Sequence, residues 1–181
     1  MRAAGWIAVA VLSGAVAWAL SRADVQTSIG GAVGAAVDKI KELIGGAEGE
    51  RLTVYQDGGG VWTVGIGHLI GPADGLFPYT DRREITEAEM QALFEADTAE
   101  ARACVDSSVI VPLTENQYAA LVSFVFNVGC GAFRSSTLLR LLNDGDYYAA
   151  ADQLDRWVND NGVRVGGLVA RRQLEKATFL A

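Results

Sequence analysis

Residues 48–68 read Glu48-Gly-Glu-Arg-Leu-Thr-Val-Tyr-Gln-Asp57-Gly-Gly-Gly-Val-Trp-Thr63-Val-Gly-Ile-Gly-His68, and the reading of this stretch decides the fold. Leu52-Thr53-Val54-Tyr55 and Val61-Trp62-Thr63-Val64 are two short runs of β-branched and aromatic residues. Gly58-Gly59-Gly60 lies between them, and Gly65-Ile66-Gly67-His68 closes the second. Two such runs about a glycine-rich turn predict a β-hairpin. Glu48 precedes the hairpin, at the end of a helical pattern. The hairpin therefore carries Asp57 and Thr63 to one side of a cleft and leaves Glu48 on the other. Two carboxyl groups facing each other suit glycoside hydrolysis, which needs one protonated and one ionised. A cleft separates their pKa values, and a threonine beside the aspartate can hold a water. Spacing alone is also compatible with a solvated hairpin carrying incidental acids.

Outward from the hairpin the chain reads as helices. Val37, Ile40 and Ile44 recur at helical spacing from Val33 to the Gly45-Gly46 pair. After the loop-like stretch 69–84, Thr86 and Glu89 form a capping box that opens a helix to about Val109. Its apolar stripe is set by Met90, Leu93 and Ala96-Asp97, with Phe94 at its flank. Thr114 and Gln117 form a second box behind Pro112, opening a helix that is apolar nearly all round and so central. Gly129 ends it. Ser135 or Ser136 caps a helix to Asn143, stopped by Gly145. Another runs from Tyr147 to Trp157 and stops at Asn159-Asp160-Asn161-Gly162. The last begins near Gly167 and reaches the end. The fold class is α+β: a mostly helical domain with a small β-hairpin lobe.

The 181 residues are half hydrophobic, enough for one domain with a sizeable core plus a short extension. The net charge is −7, and no basic stripe is present, so nucleic acid is excluded as a partner. No Cys/His cluster suggests a metal, and nothing calls for a cofactor. His68 is the sole histidine, which leaves Ser-His and Cys-His hydrolases without support; it is expected to fix the end of the hairpin by hydrogen bonds.

Glu48, Asp57, Thr63 and Gly65-Ile66-Gly67-His68 resemble the phage-type lysozymes, glycoside hydrolase family 24. The likeness continues through 123–129, 133–140, Trp157 and 167–172. It implies hydrolysis of the β-1,4 bond between N-acetylmuramic acid and N-acetylglucosamine in peptidoglycan, by an endolysin that lyses a host cell as a monomer. Glu48 would be the general acid, and Asp57 with Thr63 would position water. Asn127 and Ser136 match cleft positions and are substrate-binding candidates, while one of Arg171 and Arg172 would approach Glu48. Phe126, Phe133 and Trp157 are read as core, and Glu50, at the wrong spacing from Asp57, as solvent-facing. A lytic transglycosylase and a membrane-tethered, non-catalytic peptidoglycan-binding protein are the alternatives; the complete Glu-Asp-Thr set argues against both. Cys104 and Cys130 would face the periplasm, where disulfides persist, and are expected to pair there, with unpaired burial of both as the alternative.

At the other end, residues 3–20 carry no charge, and eighteen residues of helix span about 27 Å, barely a bilayer core. Alanine and glycine make the segment weakly hydrophobic, and Trp6 and Trp18 sit near its ends. A cleaved signal peptide, a permanent anchor and a signal-arrest-release segment all compete for this stretch. The resemblance favours the third, as in a subset of phage endolysins. The expected organisation is therefore a membrane-active segment (1–24), a linker helix (25–46) and a lysozyme-like catalytic domain (47–181). Residues 3–20 would hold the chain at the host inner membrane, on its periplasmic face, before release to the periplasm.

Overall fold

The computed structural model describes residues 36–45, 51–56, 60, 62–71 and 84–181. The first helix, α1, covers 36–45. It buries Ala36, Ile40, Leu43 and Ile44, the i, i+4 face that the apolar spacing predicts. Its expected beginning at Val33 lies outside the described residues, as does the membrane segment 3–20. Among the described residues no helix is long and apolar enough to cross a membrane.

The predicted hairpin is formed. β1 (Arg51–Gln56) pairs antiparallel with β2 (Trp62–Gly65), with Tyr55 opposite Thr63 and Gln56 opposite Trp62. The register shifts between Arg51 and Tyr55, a bulge-like irregularity. Gly65 and Gly67 take φ of +66° and +75°, so the chain reverses again and β3 (His68–Leu69) pairs with β2. The sequence reading ended the hairpin there and missed this third strand. Gly65 has a second reason to lack a side chain: a Cβ would come within 3.1 Å of Met90 Cγ. On the far side, β1 takes one bridge from Glu84 to Thr53, and Ile85 N–H donates to Leu52 O at 2.8 Å.

Helix α2 (Glu87–Ser108) starts with the expected box: Thr86 Oγ1 accepts from Glu89 N–H, and Glu89 Oε2 accepts from Thr86 N–H at 2.8 Å. Its buried stripe is Met90, Phe94, Thr98, Ala101, Cys104 and Val105. Phe94 is therefore core and not flank, while Leu93 is only partly buried and Ala96 is exposed. The i, i+4 step from Met90 selects Phe94; the i+3 step that favours Leu93 points off the stripe.

Helix α3 (Glu115–Val128) carries the second box at Thr114 and Gln117. Every residue from Ala119 to Val125 is buried, which makes it the central helix, and Gly129 ends it at φ +83°. A short α4 (Cys130–Arg134), not anticipated, follows. Ser136, rather than Ser135, caps α5 (Thr137–Asn143), its Oγ accepting from Leu139 N–H at 3.0 Å.

The helix expected from Tyr147 to Trp157 is split into α6 (Tyr147–Asp152) and a 3-10 turn, Gln153–Arg156. The tighter turn buries Leu154, and Trp157 then meets Phe124 edge-to-face with centroids 5.3 Å apart. Asn159–Asp160 and Val163–Arg164 pair as β4 and β5. Asn161 and Gly162 both have positive φ, the geometry of a two-residue hairpin turn, so Asn-Gly marks a hairpin here and not merely a helix stop. Helix α7 (Gly166–Leu180) closes the chain and packs along α3.

Cys104 and Cys130 form a disulfide that ties α2 to the start of α4 across the end of α3, closing a separation of 26 residues. A loop of that size restricts the unfolded chain by about 3.5 kcal/mol in the loop-entropy model. Replacing both cysteines by alanine is expected to lower the unfolding free energy of the oxidised protein by about 3 kcal/mol. Equal urea midpoints for the oxidised parent and the double variant would contradict that.

Candidate functional site

Three groups of polar residues stand out: one on the sheet, one between the sheet and α2, and one between α3 and α7. Thr63 is on the middle strand and only 1% exposed. Its backbone pairs with Tyr55 on one side and Leu69 on the other. Asp57 follows Tyr55 by two residues, in the connection from β1 to β2. Asp57, Glu48 and Glu50 lie outside the described residues, so the structure describes one member of the expected Glu-Asp-Thr set.

His68, on β3, reaches across to α2. Its Nδ1 lies 2.9 and 3.0 Å from the two carboxylate oxygens of Asp97. The two side chains are largely shielded, at 13% and 26% exposure, so the pair locks the edge of the sheet to the helix. This is the hydrogen-bonding role expected for His68; Asp97, its partner, was read only as a marker of the helical stripe.

The third group is a buried ionic network between α3 and α7. Arg172 and Glu175 are each 0% exposed. Arg172 Nη2 donates to Glu175 Oε1 at 3.0 Å, and its Nε lies 2.9 Å from Oε2, an ion-pair contact without hydrogen-bond alignment. Arg171 Nε donates to the same Oε1 at 3.2 Å, and Ser123 Oγ does so at 2.7 Å. Arg171 Nη2 also donates to Ser123 O. Arg172 Nη2 reaches Asn127 Oδ1 at 3.0 Å, and the guanidinium lies 4.9 Å from the centre of the Phe124 ring. The two arginines thus converge on Glu175, and Arg172 Nη1 is buried with no hydrogen-bond partner among the described residues.

Burial pushes the Glu175 carboxyl up from its ordinary value, against the opposing pull of Arg172, Ser123 and Arg171. Burial likewise pushes Arg172 down, opposed by Glu175. Two guanidinium groups on one carboxylate leave an excess positive charge in a low-dielectric setting, which is costly unless hydrogen-bonded throughout. Sequence reasoning missed Glu175 and Ser123. The available clue was the spacing Arg171-Arg172-x-x-Glu175, which puts all three on one helical face.

Ser136 is 9% exposed and occupied in capping α5. It also lines a concavity with Ser135, Gln153, Arg156 and Trp157. A second, more apolar groove runs between α1, α2 and the start of α3. There burial, reinforced by Asp106, raises the Tyr118 hydroxyl to about 12.

A model of the family described as phage lysozyme matches residues 45–175. The SAR-endolysin of Escherichia phage Mu is 39% identical over 153 residues, covering 84% of this chain and 85% of its own. The endolysin of Salmonella phage P22 is 41% identical over 134 residues, covering 74% and 90%. Among solved structures, the active form of P1 phage endolysin Lyz aligns with a TM-score of 0.67 at 27% identity, over 86% of this chain and 93% of that one.

Removing the acid from the buried network should be severe. Glu175→Gln leaves two guanidinium groups facing a neutral amide, and a loss of about 3–5 kcal/mol is expected. The check is a fall in the urea midpoint at unchanged slope. A fall of under about 1 kcal/mol would place Glu175 among ordinary surface pairs.

Proposed function

The chain belongs to the phage lysozyme family, and from that premise we propose that Glu48, Asp57 and Thr63 carry out its chemistry. The protein is an endolysin, a muramidase that lyses host peptidoglycan. In the proposed reaction the Glu48 carboxyl protonates the leaving glycosidic oxygen. Asp57, ionised, takes a proton from a water that Thr63 helps to hold, and the water attacks the anomeric carbon from the opposite face. An inverting enzyme of this kind needs about 6.5–9.5 Å between its carboxyl groups to admit that water. The observation that carries the reading is the strand register: Thr63 is fixed opposite Tyr55, two residues before Asp57, on the central strand of the sheet. The matched stretch 45–175 takes in all three residues.

We further propose that residues 1–24 form a signal-arrest-release segment, 25–46 a linker with α1 at its end, and 47–181 the catalytic domain. The alignment with the Mu relative is longer than the stretch matched by the family model, and that relative bears the name SAR-endolysin. Residues 3–20 would hold the chain at the host inner membrane, facing the periplasm, until release. An acidic protein with net charge −7 is poorly steered toward an anionic wall from afar, and delivery beside the wall removes that need.

Glu48→Gln should abolish nearly all lysis of permeabilised cells while thermal unfolding is unchanged, and Glu50→Gln should stay within a few-fold of the parent. Matching losses in the two variants would overturn the assignment. The product should be a reducing end, and an anhydro end would indicate a transglycosylase. Full-length protein should sediment with membranes until the proton-motive force is collapsed and then become soluble. A protein lacking residues 3–20 should never sediment; sedimentation of both forms alike would remove the role of that segment.

A further inference from the structure

We propose that Asp97 is a positioning residue for the muramidase reaction, acting through His68 and the outer strand of the sheet to hold Thr63 in place. The inference rests on the reading of Thr63 as the residue that holds the attacking water, and adds what holds Thr63. Asp97 lies within α2, outside the Glu-Asp-Thr set. Both of its oxygens are within hydrogen-bond distance of His68 Nδ1, at 3.0 and 2.9 Å. A carboxylate only accepts, so Nδ1 carries a proton whatever the charge on the ring. Asp97 thus sets the tautomer and, by offering two oxygens to one N–H, the direction in which the ring points.

What the ring carries is β3. His68 pairs with Val64 and Leu69 with Thr63, so β3 is one of the two strands between which Thr63 is held. Burial alternates along it: the His68 side chain is 13% exposed, Leu69 is 61% exposed and Ile70 is 7% exposed. His68 and Ile70 therefore face inward and Leu69 outward, as the period of two requires. Ile70 anchors the strand by apolar burial, which is non-directional and tolerates small displacements. The contact with Asp97 has a preferred distance and angle and tolerates them poorly. On the other side of Thr63, the pairing with β1 changes register between Arg51 and Tyr55, so the regular reference for Thr63 is β3. Without the Asp97 carboxylate, β3 keeps its apolar cover but loses the bond that fixes its place on α2, and Thr63 moves with it. A misplacement of about 1 Å at a reacting group costs about a hundredfold in rate.

The experiment is a double-mutant cycle read as kcat and KM on purified peptidoglycan, with Asp97→Ala, Thr63→Val and the two combined, at a temperature where each is fully folded. Asp97→Ala should lower kcat about 10- to 100-fold with KM within a few-fold. In the Thr63→Val background the same substitution should cost less than about threefold, because the hydroxyl it positions is already gone. Asn143→Ala is the control. Asn143 ties α5 to the end of α2 through Ser108 O and Ile110 N–H, so this variant should lose stability at unchanged kcat. Asp97→Asn keeps the size and one acceptor; it should show a smaller loss of the same kind, and it carries the cycle if Asp97→Ala does not fold. Wild-type kcat in the folded Asp97 variants would overturn the proposal and leave the pair as a stabilising contact only. An equal loss in both backgrounds would overturn it as well, since Asp97 would then act on something other than Thr63. Wild-type kcat in Thr63→Val would instead defeat the reading of Thr63, and this inference with it.

Discussion

The helical part of this protein depends on a carboxylate placed where water cannot reach. Glu175 draws Arg171 and Arg172 of its own helix, and Ser123 of α3, onto one spot. Apolar packing alone would let α3 and α7 slide along each other at small cost, because side chains of similar size are interchangeable along a stripe. A buried ion set is satisfied at one register only, since a shift of one residue leaves charges unpaired in a low-dielectric interior. Once α7 is fixed on α3, the Arg172 contact fixes the last turn of α3, and the Phe124 ring beneath it positions Trp157 and the 3-10 turn.

The sheet lobe is held by a different device. Its three strands are short, and a sheet of that size is marginal without cover. Val64 supplies apolar contact from the middle strand, while His68 and Asp97 give the outer strand a directional tie to α2. Gly65 lets Met90 approach the strand closely. The stretch from Gly65 to His68 is thus held against α2, and Thr63 sits between Tyr55 and Leu69 in the strand pairing.

Much of this was readable from local chemistry. Thr86 with Glu89, and Thr114 with Gln117, marked two helix starts because capping is settled within four residues. The glycines at 129 and 145 marked two ends for the same reason. What was not readable depends on distant partners. Phe94 rather than Leu93 is core because of what α2 packs against, which periodicity over one or two turns does not resolve. The break after Asp152 follows from burying Leu154 and seating Trp157 on Phe124, more than thirty residues earlier. Asn161-Gly162 carries the signal of a two-residue hairpin turn, but its flanking strands, two residues each, are too short to show an alternating pattern beside it. Glu175 is the plainest case: a charged residue on a mixed helix looks solvated until Ser123 is known to face it. For the site, the family likeness supplied what spacing did not, since Asp and Glu are too common for separation alone to be diagnostic.

The edge of the sheet has a consequence for how this chain tolerates change in length. Ile70 N–H bonds to Trp62 O beside β3, and Ile85 N–H bonds to Leu52 O beside β1, so the intervening chain is anchored on opposite sides of the sheet. Both anchors are backbone hydrogen bonds, indifferent to the side chains between them. Doubling the number of residues between two fixed anchors adds only about 0.6 kcal/mol of closure entropy. Insertions between these two anchors should therefore leave the strand register and the cap of α2 intact.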